Sequence, residues 1–275
     1  MFALLYKIQQ LLSCQQTYYH YCLSNHGPFI ITNSKNIYKC EPVFDKIQRH
    51  VGGVKIKTVM SWNIQELFWH CYGGNKISNI IKYLISSSKC DVICLQEVFE
   101  LSTINSIIDN RNIQKNFPYF LTGTMRNSFL VGENSGLLIL SKYPIKFKQF
   151  VPFHKSAWPD ILASKGALYF SVGNTNFITT HLQSGNYGIA SEQLRNILNQ
   201  TPFLSKTILL GDLNIENHQS ITNTFRNNTN YTHESLRVLD HVISINNDIK
   251  LDVNIDYFEM NRCSDHYPII ANLKN

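Results

Sequence analysis

A chain of 275 residues allows one large domain or two small ones at roughly 100–200 residues each, and either can bury a substantial core. Hydrophobic residues make up 44% of it and charged residues 16%, which excludes fibres and the weakly hydrophobic, highly charged chains that stay unfolded. The formal charge of +6 favours anionic partners, without separating nucleic acid from phospholipid headgroups or small phosphate esters.

The opening Met1-Phe2-Ala3-Leu4-Leu5-Tyr6 has no positive charge before it and is interrupted by Lys7, Gln9 and Gln10, which argues against a secretory signal. A cytoplasmic or peripheral-membrane location is therefore expected over a secreted one. Residues 1–50 carry no strong period and read as an N-terminal extension of unassigned role, with a possible hairpin between Phe29-Ile30-Ile31 and Ile37-Tyr38. Gly52-Gly53 then breaks the chain, and residues 51–275 form the main domain. Within it, residues 54–62 alternate as a half-buried strand does, Lys76 to Ser86 has helical spacing, 92–95 is a short buried strand, and Leu101 to Ile113 predicts one helix.

The middle segments 119–122, 136–140, 146–151, 167–172 and 176–180 read as short strands in antiparallel meanders, separated by Gly, Pro and Asn turns. Ile189 to Leu198 is helical, and 207–210, 238–245 and 268–273 are strands. The longest apolar runs, such as Gly136-Leu137-Leu138-Ile139-Leu140, fall far short of the roughly 20 residues a spanning helix needs. The seven cysteines are odd in number and scattered, with no metal-finger spacing, so reduced thiols are expected, with a disulfide among Cys14, Cys22 and Cys40 as the alternative. Sequons at Asn227 and Asn230 matter only in a secretory pathway.

Polar residues collect at strand ends, where α/β sheets build sites. Asn63 ends the first strand and Gln96-Glu97 the second; His181, Asp212 and Asn214 follow later ones; Asp240-His241 and Ser264-Asp265-His266 adjoin the last two. Any one of these, like Asp91, reads alone as a turn former or a structural residue, but their recurrence on strand after strand does not. Asp212 and Asn214 are two apart and would share a face of an extended segment.

Carboxylate and amide oxygens suit Mg²⁺ better than Zn²⁺. A histidine oriented by a carboxylate can take a proton from water, worth about 10²–10⁴ in rate. No G-x-S-x-G nucleophile motif occurs, so hydrolysis of a phosphate ester by direct attack of water is favoured over a covalent intermediate.

The stretches Ser61-Trp62-Asn63-Ile64-Gln65, Asp91 to Val98, Ser135 to Ile145, Thr179-Thr180-His181-Leu182, Gly211-Asp212-Leu213-Asn214, Leu239-Asp240-His241-Val242 and Ser264-Asp265-His266-Tyr267-Pro268 resemble, in order, the endonuclease/exonuclease/phosphatase superfamily. The resemblance implies an α/β (α+β), deoxyribonuclease I-like fold, a four-layer sandwich of two facing mixed β-sheets flanked by helices, with residues 51–275 as the catalytic domain. It further implies Glu97 as principal Mg²⁺ ligand (Mn²⁺ as substitute), assisted by Asn63 and Asp265. His266 resembles the general base, oriented by Asp240. Asp212 and Asn214 resemble the pair that positions the nucleophile or leaving group, and His181 resembles a phosphate-contacting histidine. No Glu or Tyr in 120–135 convincingly matches the residue that supports that histidine in some nucleases.

Asp160-Ile161-Leu162-Ala163-Ser164-Lys165-Gly166 resembles the D-x-x-x-x-K-G stretch of neutral sphingomyelinases, in which Asp160 and Lys165 would form a switchable pair beside the site; an ordinary surface loop is the competing reading. Leu67-Phe68-Trp69-His70 and Phe153 to Trp158 place aromatics near the site mouth, suited to a phospholipid membrane surface or equally to core packing. The expectation is thus a sphingomyelinase-like phosphodiesterase releasing phosphocholine and ceramide. A Mg²⁺-dependent DNA nuclease is the alternative and an inositol-polyphosphate phosphatase comes after it; no obligate protein partner is inferred.

Overall fold

The computed structural model describes residues 30–32, 53–66, 75–123, 134–201, 206–216, 231–245, 248–257 and 263–274. The sequons, the 67–70 aromatics, Cys14, Cys22, Cys40 and Cys71, and half of the expected hairpin lie outside them.

Two β-sheets face each other. The first joins β1 (Ile30–Thr32), β4 (Tyr119–Thr122), β5 (Leu138–Ser141), β3 (Val92–Val98), β2 (Thr58–Glu66), β12 (Ile269–Lys274) and β11 (Lys250–Ile255), in that order. The second runs β10 (Asp240–Ile245), β9 (Thr207–Asp212), β8 (Thr175–His181), β7 (Gly166–Val172) and β6 (Ile145–Pro152). Only β2 with β3 and β8 with β9 pair in parallel among these strands, so both sheets are mixed. Helices α1 (Asn75–Ser86), α2 (Leu101–Ile108) and α3 (Arg111–Asn116) cover the first sheet, and α4 (Tyr187–Asn199) covers the second.

Strand alternation assigns the core to layers. On β2 and β3, Met60, Trp62, Ile64, Ile93 and Leu95 turn outward to meet Ile80, Leu84, Ile104 and Ile107 of the helices. Their neighbours Val59, Val92 and Cys94 turn inward against Leu168, Phe170, Ile208, Leu210 and Val242 of the second sheet. The outer face of that sheet, with Tyr169, Ile178, Leu209 and Ile243, packs on Ala190, Leu194 and Ile197 of α4. This is the expected four-layer arrangement. Each fully buried Ile or Leu is worth about 1.5–3 kcal/mol relative to exposure, so a one-residue slip of either central strand would be costly.

Two local outcomes differ from the sequence reading. The single helix expected over 101–113 is two, because Asn110 stops α2 and its side chain caps α3 by accepting from the backbone N–H of Asn112 and Ile113. Strand β11 is an added edge strand paired with β12, half-exposed and rich in polar residues. Ile30–Thr32 pairs with β4; the second arm of the expected hairpin lies outside the described residues. The described cysteines, Cys90, Cys94 and Cys263, are buried and free.

Candidate active site

The parallel pairs β2/β3 and β8/β9 carry their polar termini to one rim between the sheets. Asn63, with no exposed surface, uses both hydrogens of its amide: Nδ2 donates to Glu97 Oε1 at 2.9 Å and to Asp212 Oδ2 at 3.0 Å. Its Oδ1 accepts from the backbone N–H of Gln65 at 2.9 Å. Gln65 and Glu97 both adopt left-handed backbone, with φ of 51° and 57°, as strained residues at functional sites often do. The β2/β3 register shifts between Asn63 and Glu66, which turns these side chains out of the pleat.

On the second sheet, β9 stops at Asp212. Gly211 lies at φ +149°, where an added Cβ would fall 1.9 Å from the Thr180 carbonyl oxygen, so the close approach of β8 and β9 requires glycine. Asn214 does not continue the strand. Its φ is 49°, its backbone N–H donates to Asp212 Oδ1 and its Nδ2 to the Leu182 carbonyl. The two residues meet through a tight turn and not as alternate residues of an extended segment.

His266 Nδ1 lies 2.7 Å from Asp240 Oδ2, and its Nε2 is 3.7 Å from Asp212 Oδ2 and 3.8 Å from Asp265 Oδ1. Burial works against a charged ring, but Asp240, Asp212 and Asp265 outweigh it and raise His266 to about 10. His181 Nε2 lies 3.5 Å from Asp212 Oδ2 and 3.8 Å from Glu97 Oε1. Burial, then the positive charges of Lys165 and His266, hold its pKa well below the usual histidine range. Its Nδ1 is buried without a hydrogen-bond partner among the described residues.

Lys165 and Asp160 are not a surface pair. The Lys165 side chain is 1% exposed and its ammonium lies 2.7 Å from Asp160 Oδ2. It also donates to the Leu182 carbonyl at 2.9 Å and lies 3.2 Å from His181 Nε2, so each of its three hydrogens has an acceptor in reach. Asp160, on a short 3-10 turn (Asp160–Leu162), also accepts from the backbone N–H of Ser184. Asn63, Glu97, Asp160, Lys165, His181, Asp212, Asn214, Asp240, Asp265 and His266 therefore join one contact network, whereas Gln96 bonds Ser61 and the Cys94 carbonyl, His241 contacts the Ile215 carbonyl, and Asp91 ties β3 to β2 by accepting from the Lys57 and Thr58 backbone.

The network is rich in buried negative charge. Burial pushes the Glu97 carboxyl up, against the pull of Asn63, His266 and Lys165, and Glu97 Oε2 has no hydrogen-bond partner among the described residues. Asp212 is raised to about 7 by burial and then by Asp240, with His266 and Asn63 opposing. Glu97, His181 and Asp212 offer ligand atoms within 4.8 Å of one another, and Asp265 groups with His233 and His266. Desolvated carboxylates with an orphaned oxygen are what a hard divalent cation satisfies, so the donor set fits a metal.

The sequence reading missed Gln65, whose Nε2 donates to Asp265 Oδ2 at 2.7 Å, although its position two residues after Asn63 could have drawn attention to it. It also missed buried Lys76, which donates to the Gln65 carbonyl, and His233, which lies 3.3 Å from Asp265. His233 sits in a loop with no period to mark it.

Residues 60–266 match the sequence profile of the Endonuclease/Exonuclease/phosphatase family. The chain belongs to this family. Its members are metal-dependent hydrolases of phosphodiester bonds. A sphingomyelinase of Dictyostelium discoideum is 29% identical over 177 residues, 47% of this chain and 38% of that protein, so the match spans well under half of the relative's length. Among solved structures, sphingomyelinase C from Streptomyces griseocarneus has a TM-score of 0.59 at 18% identity, covering 80% of this chain and 100% of its own. Beta toxin 275-280 from Staphylococcus aureus has 0.60 at 20%, covering 79% and 100%, and beta toxin has also been solved with bound magnesium ions. TDP2 of D. rerio, complexed with single strand DNA product, has 0.56 at 15%, covering 80% and 99%. At these identities the likenesses show the fold, which is deoxyribonuclease I-like.

Proposed function

We propose that this family member is a Mg²⁺-dependent phosphodiesterase that works at a phospholipid surface, hydrolysing sphingomyelin-type lipid to phosphocholine and ceramide by direct attack of water. The observation that carries the lipid reading is the Asp160–Lys165 pair. It is the segment of the sequence that resembles sphingomyelinases specifically, and its ammonium lies against His181 at the heart of the network.

Glu97 and Asp212 would hold the cation, with Asp265 nearby and Asn63 orienting both carboxylates through its amide N–H groups. Bound there, Mg²⁺ would supply charge neutralisation for the phosphate and offset the carboxylates that keep His266 protonated. Asp240 accepts from His266 Nδ1–H, which leaves Nε2 as the atom that takes a proton from water. Asn63 and Asn214 fix the Asp212 carboxylate. Lys165 holds His181 in place and places a positive charge beside the phosphate position.

Exposed apolar side chains support a wet, apolar interface next to this rim. Trp158 (74% exposed) and Ile161 flank Asp160, and exposed Tyr231 and Tyr257, the latter edge-on to Tyr267, lie on segments adjoining His233 and His266. Among the described residues, the exposed cations Arg237 and Lys155 pair with Glu216 and Glu192, which offers a nucleic-acid backbone little free positive charge at these positions. No helix among the described residues is long and apolar enough to cross a membrane.

The test is a side-by-side assay of purified protein with Mg²⁺ on sphingomyelin liposomes, abasic and plain duplex DNA, and inositol phosphates. Phosphocholine release with little nuclease activity is expected. Efficient DNA cleavage without phosphocholine release would transfer the assignment to the nuclease reading.

A further inference from the structure

The segment 231–239 runs across the turn that carries Asp265 and His266, and its contacts converge on the catalytic side. Thr232 Oγ1 accepts from the backbone N–H of Leu239 and Asp240. Glu234 N–H donates to the Asp265 carbonyl, and Tyr267 N–H to that of Thr232. Between them, His233 forms a β-bridge with His266, and the two rings meet at 87° with centroids 4.6 Å apart.

The hydrogen bonds of His233 define its tautomer. The backbone N–H of Ser235 reaches Nδ1 at 2.9 Å, and because a peptide N–H can only donate, Nδ1 is an acceptor. The ring proton therefore sits on Nε2, which faces Asp265 Oδ2 at 3.3 Å. Gln65 Nε2 donates to the same oxygen. Both donors hold Oδ2, and Oδ1 is left buried, without a hydrogen-bond partner among the described residues, on the side of His266 Nε2.

We propose that His233 is a positioning residue: through Nε2–H to Asp265 and its ring against His266, it fixes which carboxylate oxygen and which imidazole orientation face the attacking water. This rests on the phosphodiesterase reading for its consequence, though not for its geometry. A charge-assisted hydrogen bond lost from the half-buried Asp265 carboxylate is expected to cost about tenfold in turnover.

Two measurements on the full chain separate the outcomes. In ¹⁵N-histidine-labelled protein, the ring signals removed by His233→Gln are expected to be those of a protonated Nε2 and an unprotonated Nδ1; the opposite tautomer would overturn the clamp. With bis(p-nitrophenyl) phosphate and Mg²⁺, His233→Ala is expected to lower kcat about tenfold with KM within about twofold, and His233→Gln, which keeps an amide donor, to recover most of the loss. Equal losses in both variants, a loss confined to KM, or no loss in His233→Ala would each reject positioning. If wild-type protein hydrolyses no phosphodiester, the functional reading falls and the NMR result alone decides the clamp.

Discussion

At the scale of single residues, the two pairs that matter most differ in what their removal costs. Asp240 holds His266 through Nδ1, so Asp240→Asn presents the wrong partner to that nitrogen, and His266→Ala removes the proton acceptor outright. Both are expected to lower kcat by about 10²-fold or more while KM changes little. A decrease of only a few-fold would pass the role of base to another residue. Asp160 and Lys165 are expected to behave differently, because the ammonium is buried. Removing one member of a buried ion pair strands the other and costs about 3–5 kcal/mol, so Lys165→Ala should lose both phosphocholine release and several degrees of Tm. The paired change Asp160→Asn with Lys165→Gln leaves no stranded charge, and should recover stability measured by urea unfolding without recovering activity. Recovery of both would make the pair purely structural.

At the scale of elements, Gly211 shows how strand pairing places a functional group. An added Cβ would press on the Thr180 carbonyl, and β9 can yield only by moving Asp212 next to it. Gly211→Ala is therefore expected to destabilise the protein by about 1–3 kcal/mol in urea unfolding and to reduce kcat as well; unchanged kcat would mean that Asp212 tolerates the displacement. Such elements were largely legible in the sequence. The period of 3.6 marked α1 and α4, alternation marked the central strands, and polar strand ends marked Asn63, Glu97, His181, Asp212 and His266. Strand β11 was not legible, since Lys250-Leu251-Asp252-Val253-Asn254-Ile255 lies at a sheet edge where half-exposed positions blur the alternation. The stop at Asn110 was missed because its cap competes with an apolar period that continues to Ile113. Gln65 and His233 were missed because what selects them is Asp265, distant in the chain and brought close only by the pairing of β12 with β2 and by the 231–239 segment bridging to His266.

At the scale of the whole molecule, the rim carries several buried acids and bases whose pKa values link folding to pH and to metal. Asp212 is raised from 3.8 to about 7, Glu97 is raised from 4.5, and His266 is raised from 6.5 to about 10. Each binds a proton more tightly in the folded state. Their stabilising contributions are complete below the unfolded pKa and are lost as pH rises through the folded one. For Asp212 that loss runs from pH 3.8 to about 7, and for His266 from pH 6.5 to about 10. His181, whose pKa is depressed, acts oppositely and weakens the fold only as pH falls below the ordinary histidine range. Above neutrality His266 therefore dominates among these groups, and the metal-free protein is expected to lose up to about 1.4 kcal/mol per pH unit for each proton released. A divalent cation at Glu97 and Asp212 supplies the positive charge that the departing protons took away, and it competes with protons at low pH. The rise in Tm on adding Mg²⁺ should accordingly be larger at pH 8.5 than at pH 6.5, in buffers of equal ionic strength. Differential scanning calorimetry of wild type beside Glu97→Ala checks this, since the variant should lose the Mg²⁺ increment at both values. An increment that is independent of pH, or that survives in Glu97→Ala, would place the cation away from this cluster.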